Sequence, residues 1–263
     1  MPTPLELVLD PLSLTIIALY FGLMAWERLF PRQRFVAVRG WYLKGIAAFA
    51  TYFLLSSYLP LVWDGYLSAF QLFDLTGLGT LAGTLVGLLV YEVGVYLWHR
   101  SMHKSDALWL GFHQMHHSAE RVDVAGSFWF SLTDMIGWTM LGSLALVVVV
   151  GLSPAAATNV ILITAFLAIF QHANIRTPVW LGYLIQRPEM HAIHHQRGVH
   201  HYNFCDLAFI DWLGGTFRNP KAERLVVEGG FYDGSSAKVG AMLLGCDINK
   251  EAQPGAQLIE HAA

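Results

Sequence analysis

The sequence predicts an all-α integral membrane protein. It should form a bundle of about five transmembrane or re-entrant helices under a cytoplasmic helical cap that holds a histidine-rich dimetal site. Three observations predict this. Of 263 residues, 55% are hydrophobic and only 13% charged, against about 25% charged in a soluble globular chain; mean hydropathy is +0.45. Five apolar runs follow one another, separated by short polar stretches. Three clusters hold eight of the 12 histidines, at His99/His103, His113/His116/His117 and His191/His194/His195.

The first apolar run, Leu12 to Trp26, reaches with its flanks the ~20 residues needed to cross ~30 Å of hydrocarbon. It lacks the basic start and small-residue cleavage site of a signal peptide and reads as a retained helix. A basic segment with Arg28, Arg32, Arg34, Arg39 and Lys44 comes next, then a second run from Gly45 to Trp63, ended by Asp64 and Gly65. The third spans Leu78 to Trp98 and delivers His99 at its end. The fourth covers Phe128 to Val150, and the turn GLSPAAAT leads into the fifth, Asn159 to Phe170, which delivers His172. Because the fifth is short, the last two also suit a re-entrant hairpin. From Arg176 the chain is mixed in character and reads as part of a cap within a single domain of residues 1–263. Residues 221–263 read as a variable tail ending in EAQPGAQLIEHAA, poorly ordered, with His261 irrelevant to the site. His200 and His201 in GVHHYN read as polar loop residues rather than supports of a metal site.

Charge orients the bundle. The loops near Asp10, Asp64–Asp74 and Gly151–Pro154 contain no Lys or Arg, so all 16 basic residues fall on the other side. The positive-inside rule then puts the N-terminus outside and the histidine clusters and C-terminus on the cytoplasmic face. A formal charge of −3 without a basic stripe excludes a polyanionic partner such as nucleic acid. The two cysteines, Cys205 and Cys246, provide no disulfide framework and fit a reducing compartment.

An α-helix brings residues i, i+3 and i+4 onto one face, so each histidine cluster can aim two or three imidazoles at one point. A lone HxxxH is as often a pair of surface histidines; three clusters point to metal. His172 in FQHAN makes nine histidines in motif-like positions. Nine exceed what one four- or six-coordinate ion accepts and suit two ions, each with room for water, O2 or substrate. With no Cys beside the clusters and no HExxH, thiolate zinc, iron–sulfur and zincin sites are excluded.

The motifs WHRSMH, LGFHQMHHS, FQHANI and PEMHAIHH, in this order, resemble the fatty acid hydroxylase superfamily, which includes sterol desaturases and C-4 methylsterol oxidases. The resemblance runs from Tyr91 to Phe217 and is specific for the superfamily, not for a substrate. Asn203, Asp211, Leu213, Gly215, Thr216 and Phe217 stand where its NYG…WDxLFGTF pattern expects them, whereas Phe204, Cys205, Ile210 and Gly214 depart from it. The resemblance implies a membrane helical bundle whose cap holds two iron ions, for which zinc may substitute in preparations, activating O2 against a lipid C–H bond. It implies His99, His103, His113, His116, His117, His172, His191, His194 and His195 as ligands. Asn174 stands where other members place a further histidine and would complete one metal, directly or through water.

Glu92 lies inside the third run, where an ionised carboxylate costs roughly 3 kcal/mol by insertion-based estimates. Glu92, Tyr96, His99 and His103 share one helix face, so Glu92 is expected to accept the free N–H of a ligand histidine; the alternative is pairing with an interfacial Arg. Asp134, some six residues into the fourth run, has a similar but weaker case. Trp98, Trp109, Phe112, Phe128, Trp129 and Phe130 suit either a dry pocket wall or interfacial anchors, anchoring being the commoner role. No GxGxxG accompanies a strand–helix unit, so electrons would come from a ferredoxin or cytochrome-type carrier with an NAD(P)H reductase. The expected activity is hydroxylation or desaturation of a sterol-like, carotenoid, fatty acyl or ether lipid. A zinc-dependent membrane hydrolase and a metal transporter or sensor are the other classes that place histidines in a membrane.

Overall fold

The computed structural model describes residues 1–221 and 226–251, so His261 and the EAQPGAQLIEHAA end beyond Glu251 lie outside the described residues. Five helices are long and apolar enough to cross a membrane: Pro11–Leu29, Trp41–Phe70, Thr76–Lys104, Leu132–Val149 and Pro154–His172. Their regular parts are α1 (Pro11–Leu29), α2 (Trp41–Leu67), α3 (Gly79–Lys104), α4 (Leu132–Ser143) and α5 (Pro154–His172). Even the shortest span, 18 residues, covers about 27 Å at 1.5 Å per residue, close to the hydrocarbon thickness. Among the described residues the only β-pairing is the isolated bridge Ile185–Leu207.

Local chemistry sets the ends of the spans. Asp10 accepts the Leu12 N–H and Pro11 occupies the first turn of α1, while Ser153 and Pro154 do the same for α5. Ser131 caps α4 by accepting the Asp134 N–H. The fourth helix therefore starts four residues later than the apolar run. Phe128 and Trp129 are buried on the cap side of it rather than in a span. The fifth starts at Pro154, five residues earlier than the pattern suggests, because its SPAAAT opening is itself a capped helical turn. α3 overruns its apolar segment by six residues and so carries both His99 and His103.

α3 shows which way the bundle faces. Leu81, Leu85, Leu89, Val93 and Leu97, four residues apart, form an exposed stripe, while Thr84, Gly87, Glu92, Tyr96 and His99 are buried. Apolar outside and polar inside is the arrangement of a helix solvated by lipid. This is an integral membrane protein. α3 packs on α5, α2 on α4, and α1 on α5. Near the cap, Tyr20 of α1 stacks on Phe49 of α2 at 4.1 Å, with Phe128 beside both. Gly45 lets α2 pass directly over the backbone of Ala125, into which any Cβ would run.

The cap continues with α6 (Pro188–His194), α7 (Ala208–Leu213) and α8 (Val239–Leu243). Residues 226–249, read from sequence as a loose tail, pack over the second histidine cluster. Ser235 Oγ donates to Ser118 O at 2.6 Å, and Glu120 Oε1 accepts the N–H groups of Gly234 and Ser236. Gln114 bonds Cys246 O and the Ile248 N–H. Gln114 belongs to the histidine box itself and Ser118 and Glu120 follow it directly, a dependence that composition does not reveal.

Candidate metal centre

The nine clustered histidines meet at the boundary between spans and cap. His99, His103, His113, His117 and His194 form one group and His116, His172, His191 and His195 a second; within each, one candidate ligand atom per residue lies within 4.8 Å of all the others. α3 supplies the i, i+4 pair His99/His103 and α5 ends on His172. A π-helical turn, Trp109–His113, leads into the helical turn Gln114–His117. HQMHH divides between the groups by helical spacing: His113 and His117, four residues apart, go to one and His116 to the other. HAIHH on α6 divides the same way, His194 to one group and His191 and His195 to the other. The groups adjoin, since the ring of His117 stacks on that of His195 at 4.2 Å.

The donor set fits cations. Nε2 atoms face each other at 3.0 Å (His99–His113, His172–His191, His191–His195) and 3.1 Å (His116–His172, His117–His194). Nitrogens bound at about 2.0–2.1 Å to one ion lie about 3.0–3.4 Å apart, depending on geometry. His103 Nε2 is buried with no hydrogen-bond partner among the described residues, an orphan that a metal would satisfy.

The opposite ring nitrogens set tautomer and aim. His99 Nδ1–H donates to Phe204 O (2.9 Å), His172 Nδ1–H to Ala168 O (2.7 Å) and His194 Nδ1–H to Tyr202 O (2.8 Å). His113 Nδ1–H donates to Asp134 Oδ2 at 3.0 Å, with both side chains buried. Each bond leaves the Nε2 lone pair for metal, and a carboxylate partner such as Asp134 raises the basicity of the ligand histidine it holds. His191 Nδ1 lies 3.2 Å from the side-chain amide of Gln186, which also bonds Gln171.

Two expectations are corrected. Glu92 hydrogen-bonds no histidine among the described residues. Its Oε2 accepts from Cys205 Sγ (3.2 Å) and the Asp206 N–H (3.1 Å), so it pins the loop whose Phe204 carbonyl orients His99. The shared helix face is real, but the 204–206 loop comes between. Asn174 is no ligand either: its Nδ2 donates to Gln33 O (2.7 Å) and its Oδ1 accepts the Gln33 N–H (3.1 Å), so both polar ends are spent on the α1–α2 connection. The position has become a clamp, reinforced by Glu27, whose Oε2 accepts the N–H groups of Asn174 and Val124.

The NF…D…GT segment proves to be scaffolding. Asp211 accepts the N–H groups of Phe204 (2.8 Å) and Cys205 (2.9 Å), and Asn203 ties Met190 O of α6 to Arg218. Phe204 sits against His99, His103 and His194, with ring centroids 5.3–5.4 Å apart. Gly214, where the family pattern has a bulky residue, lets Tyr96 Oη reach its carbonyl; any Cβ would overlap that hydroxyl. His200 lies in a loop, as the sequence leads one to expect, but it packs close to the metal centre. Held at φ 46°, it places its ring 4.6 Å from His117 and 5.6 Å from Trp109. Nothing in GVHHYN announces that left-handed turn; Asp134, the weaker of the two carboxylate candidates from sequence, is the one that bonds a ligand histidine, though no helical spacing points to its partner His113, 21 residues away.

Burial, then neighbouring imidazoles, pushes His113, His116, His117, His191, His194 and His195 well below the ordinary 6.5. Burial takes His200 down to about 4. Neutral imidazole is the form that ligates metal. Below pH 6.5 the unfolded chain takes up protons that the folded metal-free protein resists, so stability is full above 6.5 and falls as pH drops below it. Thermal melts of metal-free protein in detergent should therefore show Tm decreasing between about pH 6.5 and 5; a flat or rising Tm would contradict a buried neutral cluster.

Residues 84–216, half of the chain, match the family model described as fatty acid hydroxylase. The chain is 31% identical over 141 residues to ornithine lipid hydroxylase OlsE of Rhizobium tropici, across 52% of this chain and 42% of that protein. No solved structure matches. The family match spans α3 to the Thr216 turn and so takes in all nine histidines, the two adjoining groups they form and the carbonyls that orient them; the chain belongs to the fatty acid hydroxylase family.

Proposed function

We propose that the protein is a membrane-bound oxygenase that hydroxylates an unactivated C–H bond of a lipid. The overall change is R–H + O2 + 2 e⁻ + 2 H⁺ → R–OH + H2O, with electrons from an external carrier and reductase. The observation that carries this reading is the pair of adjoining all-histidine groups at the bilayer edge. Two iron ions held there would supply O2 activation. His99, His103, His113, His117 and His194 would hold one, and His116, His172, His191 and His195 the other. The chain contributes neutral donors that leave the cations' charge uncompensated, and it excludes water by burial. Similarity to a lipid hydroxylase over half of this chain supports the reaction class.

A zinc hydrolase would want a carboxylate base facing the metals, whereas the carboxylate bonded to the group, Asp134, lies behind His113 on its Nδ1 side. A transporter would string its histidines along a path through the bilayer; these gather at helix ends. The test has two arms. Protein made under iron-replete conditions should contain about two irons per chain. Lipid mass spectrometry of cells with and without it should show an O2-dependent gain of one oxygen in a lipid. Bound metal with no oxygenated product, or a product formed without O2, would reject the oxygenase.

We also infer from the distribution of Lys and Arg that the metal centre faces the cytoplasm. Single-cysteine reporters in residues 28–44 or beside His103 should be labelled only from the cytoplasmic side, and reporters in residues 64–74 only from outside. Labelling of both sets from one side would overturn the topology.

A further inference from the structure

Beside the metal centre, between α2 and α4, runs an apolar groove of about 330 Å³, in the size range of small-molecule sites. Spans and cap share its lining: Ala48 and Thr51 of α2 and Met135 of α4 from the spans, Leu243 of α8 from the cap. Thr51 and Leu132, both on spans, are exposed, so the groove is open on the face that the spans turn to lipid. Its inner side includes Met115 and Phe130. The Phe130 ring lies 4.6 Å from that of His116 and 6.5 Å from that of His113. One aromatic ring therefore separates the groove from an imidazole of each metal group.

Lys44 stands at the cap end of the groove, one turn into α2. It is half-buried and has no ion-pair partner among the described residues. An aliphatic stem along an apolar wall with the ammonium at the membrane boundary is how lysine sits at an interface. We propose that the groove admits a bilayer lipid with an anionic group in its head, phosphate or carboxylate, held by Lys44, and lays its apolar chain against Phe130. This rests on the lipid hydroxylase reading and adds which face of the bundle the substrate uses and what charge its head carries. Charge complementarity selects the occupant: a cationic head would meet Lys44 unfavourably, and a neutral one would gain nothing from it.

The test uses full-length protein in phosphatidylcholine vesicles doped with either of two photoreactive lipids. Both carry a diazirine in the acyl chain; one is a phosphatidic acid, the other a diacylglycerol. After illumination, adducts are mapped by mass spectrometry. The anionic probe should label peptides containing residues 47–51 and 132–135. Labelling there should fall at least about fivefold with the neutral probe and in Lys44→Glu, from the order of 1 kcal/mol per basic residue at a membrane surface. Lys44→Arg should retain it. Thr51→Trp, which fills the groove from the exposed face of α2, should abolish these adducts with metal content unchanged. Adducts confined to the exposed stripe of α3, or groove labelling indifferent to head charge and to Lys44→Glu, would overturn the proposal. Mapping needs no turnover, so the two readings fail separately. Groove labelling without hydroxylation sinks the enzyme and leaves the site; hydroxylation without groove labelling does the reverse.

Discussion

Replacing His194 with alanine is expected to remove most bound metal and nearly all activity, and His116→Ala, in the other group, to do the same. Both side chains are buried, and each Nε2 faces the Nε2 of a neighbour at 3.1 Å, His117 for His194 and His172 for His116. Removing one imidazole takes away a donor and leaves a cavity among the remaining ligands. The effect should cross between the groups, because their boundary is a pair of stacked rings, His117 on His195, and because HQMHH and HAIHH each feed both. Metal analysis by plasma mass spectrometry should thus find well under half the wild-type content in either variant. A His194→Ala protein that loses only one metal and keeps the other at full occupancy would show the groups to be independent, against this coupling. His200→Ala is the informative control. Its ring lies beside His117 but outside either group, so metal content should stay near normal.

What was legible in the sequence was what regular helices encode. His99/His103, HQMHH and HAIHH are helical spacings, so their convergence followed from the 3.6-residue period, and the five spans followed from runs of apolar residues. What was not legible depends on irregular backbone. The π turn at Trp109–His113, which carries the chain into HQMHH, is announced by no spacing rule. The left-handed residues His200 and Asn203 fold the 196–206 segment back over the box, which puts His200 against Trp109 and the Phe204 carbonyl on His99. The helix face that Glu92 shares with His99, and the family's further histidine near His172 for Asn174, point each side chain to the metals. In both cases a different segment of chain, Gln33 or Cys205–Asp206, reached the side chain first. A buried polar group takes the partner that tertiary packing delivers, and helical spacing alone does not identify it.

That distinction ranks the two buried carboxylates. Asp134→Asn should lower metal affinity or turnover by about 10–100-fold, the usual loss when a carboxylate behind a ligand histidine is removed. Its Oδ2 is the acceptor for His113 Nδ1–H, and a neutral amide both weakens that bond and can present an N–H to the ring in its place. Glu92→Gln should be milder, within about threefold, because a carboxamide oxygen can still accept the Asp206 N–H that holds the loop. Glu92→Ala leaves that buried donor unpaired, at about 1–3 kcal/mol. It should appear first as a lower Tm and only secondarily as metal loss, through a displaced Phe204 carbonyl. The discriminating measurement is metal affinity by competition with a chelator, paired with melts of the same metal-free preparations. Asp134→Asn is expected to shift affinity more than Tm, and Glu92→Ala the reverse. If Glu92→Gln weakened metal as strongly as Asp134→Asn, its charge would be acting on the imidazoles directly, and the loop-pinning role assigned here would be wrong.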